Sequence, residues 1–197
     1  DYANLVTNYV ERFASKLTCF DDIRPHLAAL RKTPDVPHQP LTSETSITQR
    51  INAEKIALFF EQGASADDLL QAYIESLEHV HEPSTEMQPG DDLALLAVYV
   101  TLAKSSSVEN LIQAAAIASY ACEKSARAYK LRLLLIRLLL RLGCLKLAVY
   151  HFDALELKAV QLDTMSHYLF DRNASFGGSH AADVGNHWEG GIKDFYE

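Results

Sequence analysis

Cysteine is scarce in this chain. Cys19, Cys122 and Cys144 are three in 197 residues, an odd and widely spaced set with no Cys-x-x-Cys. That excludes a disulfide framework and a zinc knuckle, and it fits a reducing cytosolic (cytoplasmic) or nuclear setting, of which the cytoplasm is the expected one. Cys122 and Cys144 sit in apolar helical contexts and read as small buried hydrophobes. Glycine (8) and proline (6) are sparse, and few stretches alternate at period two, so an all-α chain is expected. No uncharged apolar run approaches the roughly 18–20 residues of a membrane span. The first residues are polar and amphipathic, unlike a signal peptide. The chain opens at Asp1 without Met, which reads as an excised segment or a missing start.

Motifs that carry chemistry are missing too. There is no Gly-x-Gly-x-x-Gly and no Gly-x4-Gly-Lys. The nearest approach to an acyl-CoA pyrophosphate loop is Arg172 to Gly178, with the wrong spacing and no preceding strand. Eight histidines contain no His-Glu-x-x-His, and His79 and His81, two apart, point to different sides of a helix. His167, beside Asp163 and Thr164, reads as a local hydrogen-bonding residue. No nucleophile stands with a matching base. The expectation is no catalytic residue, no metal site and no cofactor. The acidic pairs Asp21-Asp22, Asp67-Asp68 and Asp91-Asp92 all precede helices, where capping and the helix dipole account for them.

Charge is unevenly placed. Residues 1–123 carry 8 Lys/Arg against 18 Asp/Glu; residues 124–158 carry 8 against 2; residues 159–197 carry 2 against 6. A net −8 chain is not a DNA binder by charge, yet its central segment is net +6 and suits an acidic partner. Lys130, Arg137 and Arg141, 7 and 4 residues apart, fall within about 40° on a helix. They are the candidate partner-binding residues. Two readings stand: a stripe paired with acidic helices of neighbouring repeats, which is preferred, or a docking stripe for an acidic partner or ribosomal RNA.

What is present is helical periodicity. Tyr2, Leu5, Val6, Tyr9, Val10, Phe13 and Leu17 mark a first amphipathic helix. A second follows Asp21 or Asp22 as cap, with Pro25 in its first turn. The prolines at 34, 37 and 40 make a loop. A third helix runs from about Glu44 to Gln62, stopped by a left-handed Gly63. Ser65-Ala-Asp-Asp68 forms a capping box for a fourth, and residues 81–90 form a flexible loop. Asp91 or Asp92 caps a fifth helix, and Ser106-Ser-Val-Glu109 boxes an alanine-rich sixth. The coarse plan is four helix pairs. Its divisions are 1–40 (first pair and Pro-rich loop), 41–123 (repeat pairs), 124–170 (a further pair and following helix) and 171–197 (a loose Gly-rich tail).

The run from Tyr129 to Phe152 is a greasy helix, a break at Gly143, and a second helix. Gly143, Ala148, Phe152 and Leu155 follow at intervals of five, four and three, the pattern of a tetratricopeptide-type turn and second helix. A small Ala148 lets the helices approach. At a 34-residue offset, Ala148, Phe152 and Leu155 fall on Ala114, Ala118 and Ala121. The repeat is degenerate, and the fold it predicts is an α-solenoid of stacked pairs. Leu131 to Leu135 matches an LxxLL pattern that central burial explains.

Three stretches carry a family resemblance: Leu131-x-Leu133-Leu134-Leu135-Ile136-Arg137, Leu142-Gly143-Cys144, and Ala154 through Gln161 to Asp163-Thr164-Met165-Ser166-His167. With Cys19-Phe20-Asp-Asp22-Ile23-x-Pro25-His26-Leu27 they resemble the large auxiliary subunit of the NatB N-terminal acetyltransferase. The resemblance implies an internal fragment of a much longer, non-catalytic, tetratricopeptide-like scaffold. It implies as partners a small acetyl-CoA-dependent catalytic subunit and the ribosome, and as substrates nascent chains beginning Met-Asp, Met-Glu, Met-Asn or Met-Gln. The Gly-rich tail departs from the continuing helices of that family. The alternatives are a helical-repeat adaptor of another cytosolic complex and a small all-α enzyme, the latter disfavoured by the missing motifs.

Overall fold

Serine opens three of the helices. Ser43, Ser65 and Ser107 each have extended backbone and accept an N–H from the residue three positions on. At Ser65 the box is reciprocal: its Oγ accepts from the Asp68 N–H at 3.1 Å, and the Asp68 carboxylate accepts from the Ser65 N–H at 3.4 Å. Ser43 and Ser46 form a second box, with serine where Glu is usual. The sixth helix is capped by Ser107 through Asn110, one residue later than the expected Ser106–Glu109 pair.

The computed structural model describes residues 2–16, 18–31, 43–60, 63–79, 87–158, 161 and 164–170. Its helices are α1 (Tyr2–Phe13), α2 (Cys19–Arg31), α3 (Glu44–Phe59), α4 (Ala66–Ser76), α5 (Asp91–Lys104), α6 (Val108–Lys124), α7 (Tyr129–Arg141), α8 (Leu145–Asp153) and α9 (His167–Phe170). A 3-10 turn, Leu77–His79, extends α4. Among the described residues there is no strand, and the all-α expectation holds. No described helix is long and apolar enough to cross a membrane. Leu17, the proline loop, most of the 81–90 loop and the Gly-rich tail lie outside the described residues.

Odd-numbered helices touch in succession: α1 with α3, α3 with α5, α5 with α7, α7 with α9. Contacts that skip one helix mark stacked pairs, since each pair must bury its face on the next. Even helices then bracket this inner layer, α4 and α6 on α5, α6 and α8 on α7. The architecture is therefore a stack of helix pairs, with one departure from the expected plan. α4 packs on α5 rather than pairing closely with α3.

The reason lies in α3, which serves two cores. Ile47 and Ile51 join the main core with Leu69, Tyr73, Leu93 and Val98. Ala53, Ile56 and Ala57 face α1 and α2, against Val6, Ile23 and Leu27. A helix buried on two sides has no single apolar stripe, so its periodicity is weak. Phe59, the last residue of the helix, is 63% exposed. The helix ends at Phe59, so Gly63 is no helix stop; a Cβ there would meet the Leu58 side chain. Pro25 also departs from its expected place, in the helix interior rather than the first turn, because α2 begins at Cys19.

The α7–α8 corner is as the spacing predicts. Gly143 has φ +78°, its N–H bonds to the Leu140 carbonyl at 3.2 Å, and the Cys144 N–H bonds to the Leu139 carbonyl at 2.8 Å. That double bond pattern is a Schellman stop, for which glycine tolerates the left-handed residue. Ala114, Ala118, Ala121, Ala148, Phe152 and Leu155 are all buried, so the 34-residue offset superposes core on core. Leu131 and Leu135 are buried as well.

Candidate partner-binding surface

α7 carries four basic side chains, and the fold places each in a different situation. Lys130, Arg137 and Arg141 are exposed on one face, as the spacing predicts, while Arg132 is buried. The Lys130 ammonium lies 3.6 Å from Asp92 of α5. The Arg137 guanidinium lies over the Tyr168 ring, 4.9 Å from its centroid. Arg141 has no ion-pair partner among the described residues. Lys130 thus has an acidic neighbour on α5, whereas Arg137 and Arg141 have no acidic partner among the described residues.

Asp91 and Asp92 are adjacent and behave oppositely. Neither caps α5, whose N-cap is Gly90. Asp91 is buried; its Oδ2 accepts from the Gln88 N–H at 3.0 Å and from the Ser125 hydroxyl at 2.7 Å. Ser125 lies 34 residues on, at the C-cap of α6, so this bond ties the start of α5 to the corner that leads into α7. Burial pushes the Asp91 carboxyl above its usual range, and the two hydrogen bonds only partly offset that. Burial would also raise Asp92. There, however, the hydrogen bond from Lys55 at 2.5 Å and the charges of Lys55 and Lys130 win, and its pKa is lowered.

A depressed carboxyl stabilises the fold above its ordinary 3.8 and loses that contribution as pH falls through the lower folded value. Asp92→Asn should therefore lower stability by about 1 kcal/mol at pH 7, since the pair is only partly shielded from water. Urea titrations at a series of pH values should show the gap to the parent closing as pH drops below 3.8. A gap unchanged down to acid pH would show that Asp92 acts by shape and not by charge.

A cavity of about 550 Å³ opens between α6, α7 and α8. Arg132, Cys122 and His151 line its depth, Glu123, Arg127 and Glu156 its sides, and Leu147 and Tyr150 its outer wall. Arg127 donates to the Tyr129 hydroxyl at 2.6 Å and lies 3.8 Å from Glu156, which has left-handed backbone at φ 51°. Burial pushes the Cys122 thiol up to about 11, so it stays a thiol at neutral pH. Burial first, then the Arg132 charge, lowers the His151 pKa against an opposing pull from Glu123.

Cys144, expected to be buried, is exposed at the α8 N-cap position. His167 is the local hydrogen-bonding residue expected, its Nδ1 2.7 Å from the Thr164 carbonyl. Among the described residues no three His, Cys, Asp or Glu gather as a metal site. Periodicity read the helix from Tyr129 as greasy and did not single out Arg132. A signal was available: five residues from Arg137, it stands about 140° away around the helix.

Residues 2–196 match the family described as the non-catalytic subunit of the N-acetyltransferase B complex (NatB). Among curated proteins, the chain is similar to phagocyte signaling-impaired protein of Drosophila pseudoobscura pseudoobscura. The identity is 25% over 197 aligned residues, covering 85% of this chain and 20% of that protein. The chain thus spans about a fifth of that relative's length. No solved structure matches.

Proposed function

The chain belongs to the NatB non-catalytic subunit family, and we propose that it forms part of the scaffold that binds and positions the complex's small catalytic subunit. In this reading the complex acts in the cytoplasm, at the ribosome, on nascent chains beginning Met-Asp, Met-Glu, Met-Asn or Met-Gln. The acetyl-CoA chemistry belongs to the catalytic partner. The observation that carries the reading is the family match over nearly the whole chain, on a stack of helix pairs whose broad faces suit protein binding.

Arg137 and Arg141 are the proposed partner-facing cations, with Lys130 contributing less because it faces Asp92. The test is capture of the catalytic subunit by the full-length protein carrying Arg137→Glu with Arg141→Glu. The melting curve should stay unchanged, because exposed charges contribute little to folding. Affinity should fall about tenfold or more, because the substitutions set like charges against an acidic partner. Raising salt should narrow the gap, since exposed charges are screened over about 8 Å at physiological ionic strength. Unchanged capture by the double variant would remove these two residues from the interface and leave the scaffold reading to its own test.

A further inference from the structure

The buried guanidinium of Arg132 is under-satisfied. It is 7% exposed, and no carboxylate reaches ion-pair distance of it among the described residues. Its Nη2 donates only long bonds, to the Cys122 carbonyl at 3.4 Å and the Ala126 carbonyl at 3.5 Å. Its Nη1 lies 3.4 Å from His151 Nδ1, and its Nε has no hydrogen-bond partner. A buried charge left in this state is costly unless a counter-ion completes it. The group lines an open cavity of about 550 Å³, so a counter-ion has a way in.

We propose that this cavity is a receptor for the carboxylate of an Asp or Glu side chain on a partner protein, with Arg132 as the anchoring cation. The planar fork of Arg132 matches a carboxylate or a phosphate edge. Two observations select a protein carboxylate. Glu123 and Glu156 also line the cavity and repel a dianion more than a monoanion. Leu147 (53% exposed) and Tyr150 (66% exposed) stand on the outer wall, where residues flanking the acid can pack. The surrounding segment 124–158 is net +6, with no acidic residue between Lys124 and Phe152, so an acidic partner is drawn to this side. The site is separate from the exposed Arg137 and Arg141, and it holds whichever complex the scaffold serves.

His151 is the reporter, because its Nδ1 faces Arg132 directly. A carboxylate seated on the guanidinium reduces the positive field at the ring, so the imidazole should become easier to protonate. The probes are acetyl-Ala-Glu-Leu-amide and its Gln counterpart, titrated against the full chain with labelled histidines observed by NMR. The Glu peptide should shift the His151 resonances saturably and raise that residue's titration midpoint. The Gln peptide should bind about tenfold more weakly, the loss of one charge-assisted pair. Arg132→Gln should abolish the difference between the peptides. If that variant fails to fold, Arg132→Lys and the Glu–Gln contrast on the parent chain decide alone. Equal binding of the two peptides, or inorganic phosphate displacing the Glu peptide at equal concentration, would overturn the proposal.

Discussion

Glu54→Ala should cost about 3 kcal/mol or more of folding stability, the penalty for breaking a buried charge pair from one side. Glu54 is fully buried in α3. Its Oε1 lies 2.8 Å from Arg50 Nε, near enough for strong attraction although that N–H is not aligned to donate. Its Oε2 accepts the Ala64 N–H at 3.0 Å, joining α3 to the segment that leads into α4. Alanine strands the mostly buried Arg50 and that backbone donor together. Glu54→Gln keeps an acceptor for Ala64 and should lose less. Because α3 serves both cores, the damage reaches α1 and α2 as well as the main stack. Urea unfolding of the three proteins measures it. An alanine variant as stable as the parent would mean the pair is dispensable.

Ala148→Leu should cost about 1–3 kcal/mol, from forcing extra methylenes into a closed contact. Ala148 has no exposed surface, and it sits where α8 crosses α7, between the Schellman corner and buried Phe152. The neighbouring position supplies a control. Leu147 is 53% exposed, so Leu147→Ala should change stability by about 0.5 kcal/mol at most. Thermal melts of both variants give the comparison. Equal shifts, or none at Ala148, would show that the close crossing is not there.

Local signals were the ones the sequence made legible. The Gly143 stop, the Ser65 box and the Ala148–Phe152–Leu155 spacing all depend on residues within two turns of one another, and the fold keeps them. The expected α3–α4 pairing failed because α3 is buried on two faces, which erases the periodicity that assigns a helix to one neighbour. Asp91 and Asp92 resembled caps because acidic residues favour helix starts. Their partners, Ser125, Lys55 and Lys130, lie 34 to 38 positions away, beyond any local pattern. Cys144 differs from buried Cys122 for a similar reason: its apolar sequence neighbours point inward from a corner that itself faces solvent. The candidate surface was half legible. Periodicity puts Lys130, Arg137 and Arg141 on one exposed face and turns Arg132 about 140° from Arg137, but the lack of a carboxylate partner for Arg132 among the described residues depends on which helices pack around it.

If the chain is part of a non-catalytic scaffold, acetyl transfer from acetyl-CoA to a Met-Asp peptide should be absent with the full-length protein alone. Transfer should appear when the full-length protein is mixed with the catalytic subunit and the two form a stable complex. Turnover by the full-length protein without its partner, or failure of the two to associate, would contradict the scaffold reading.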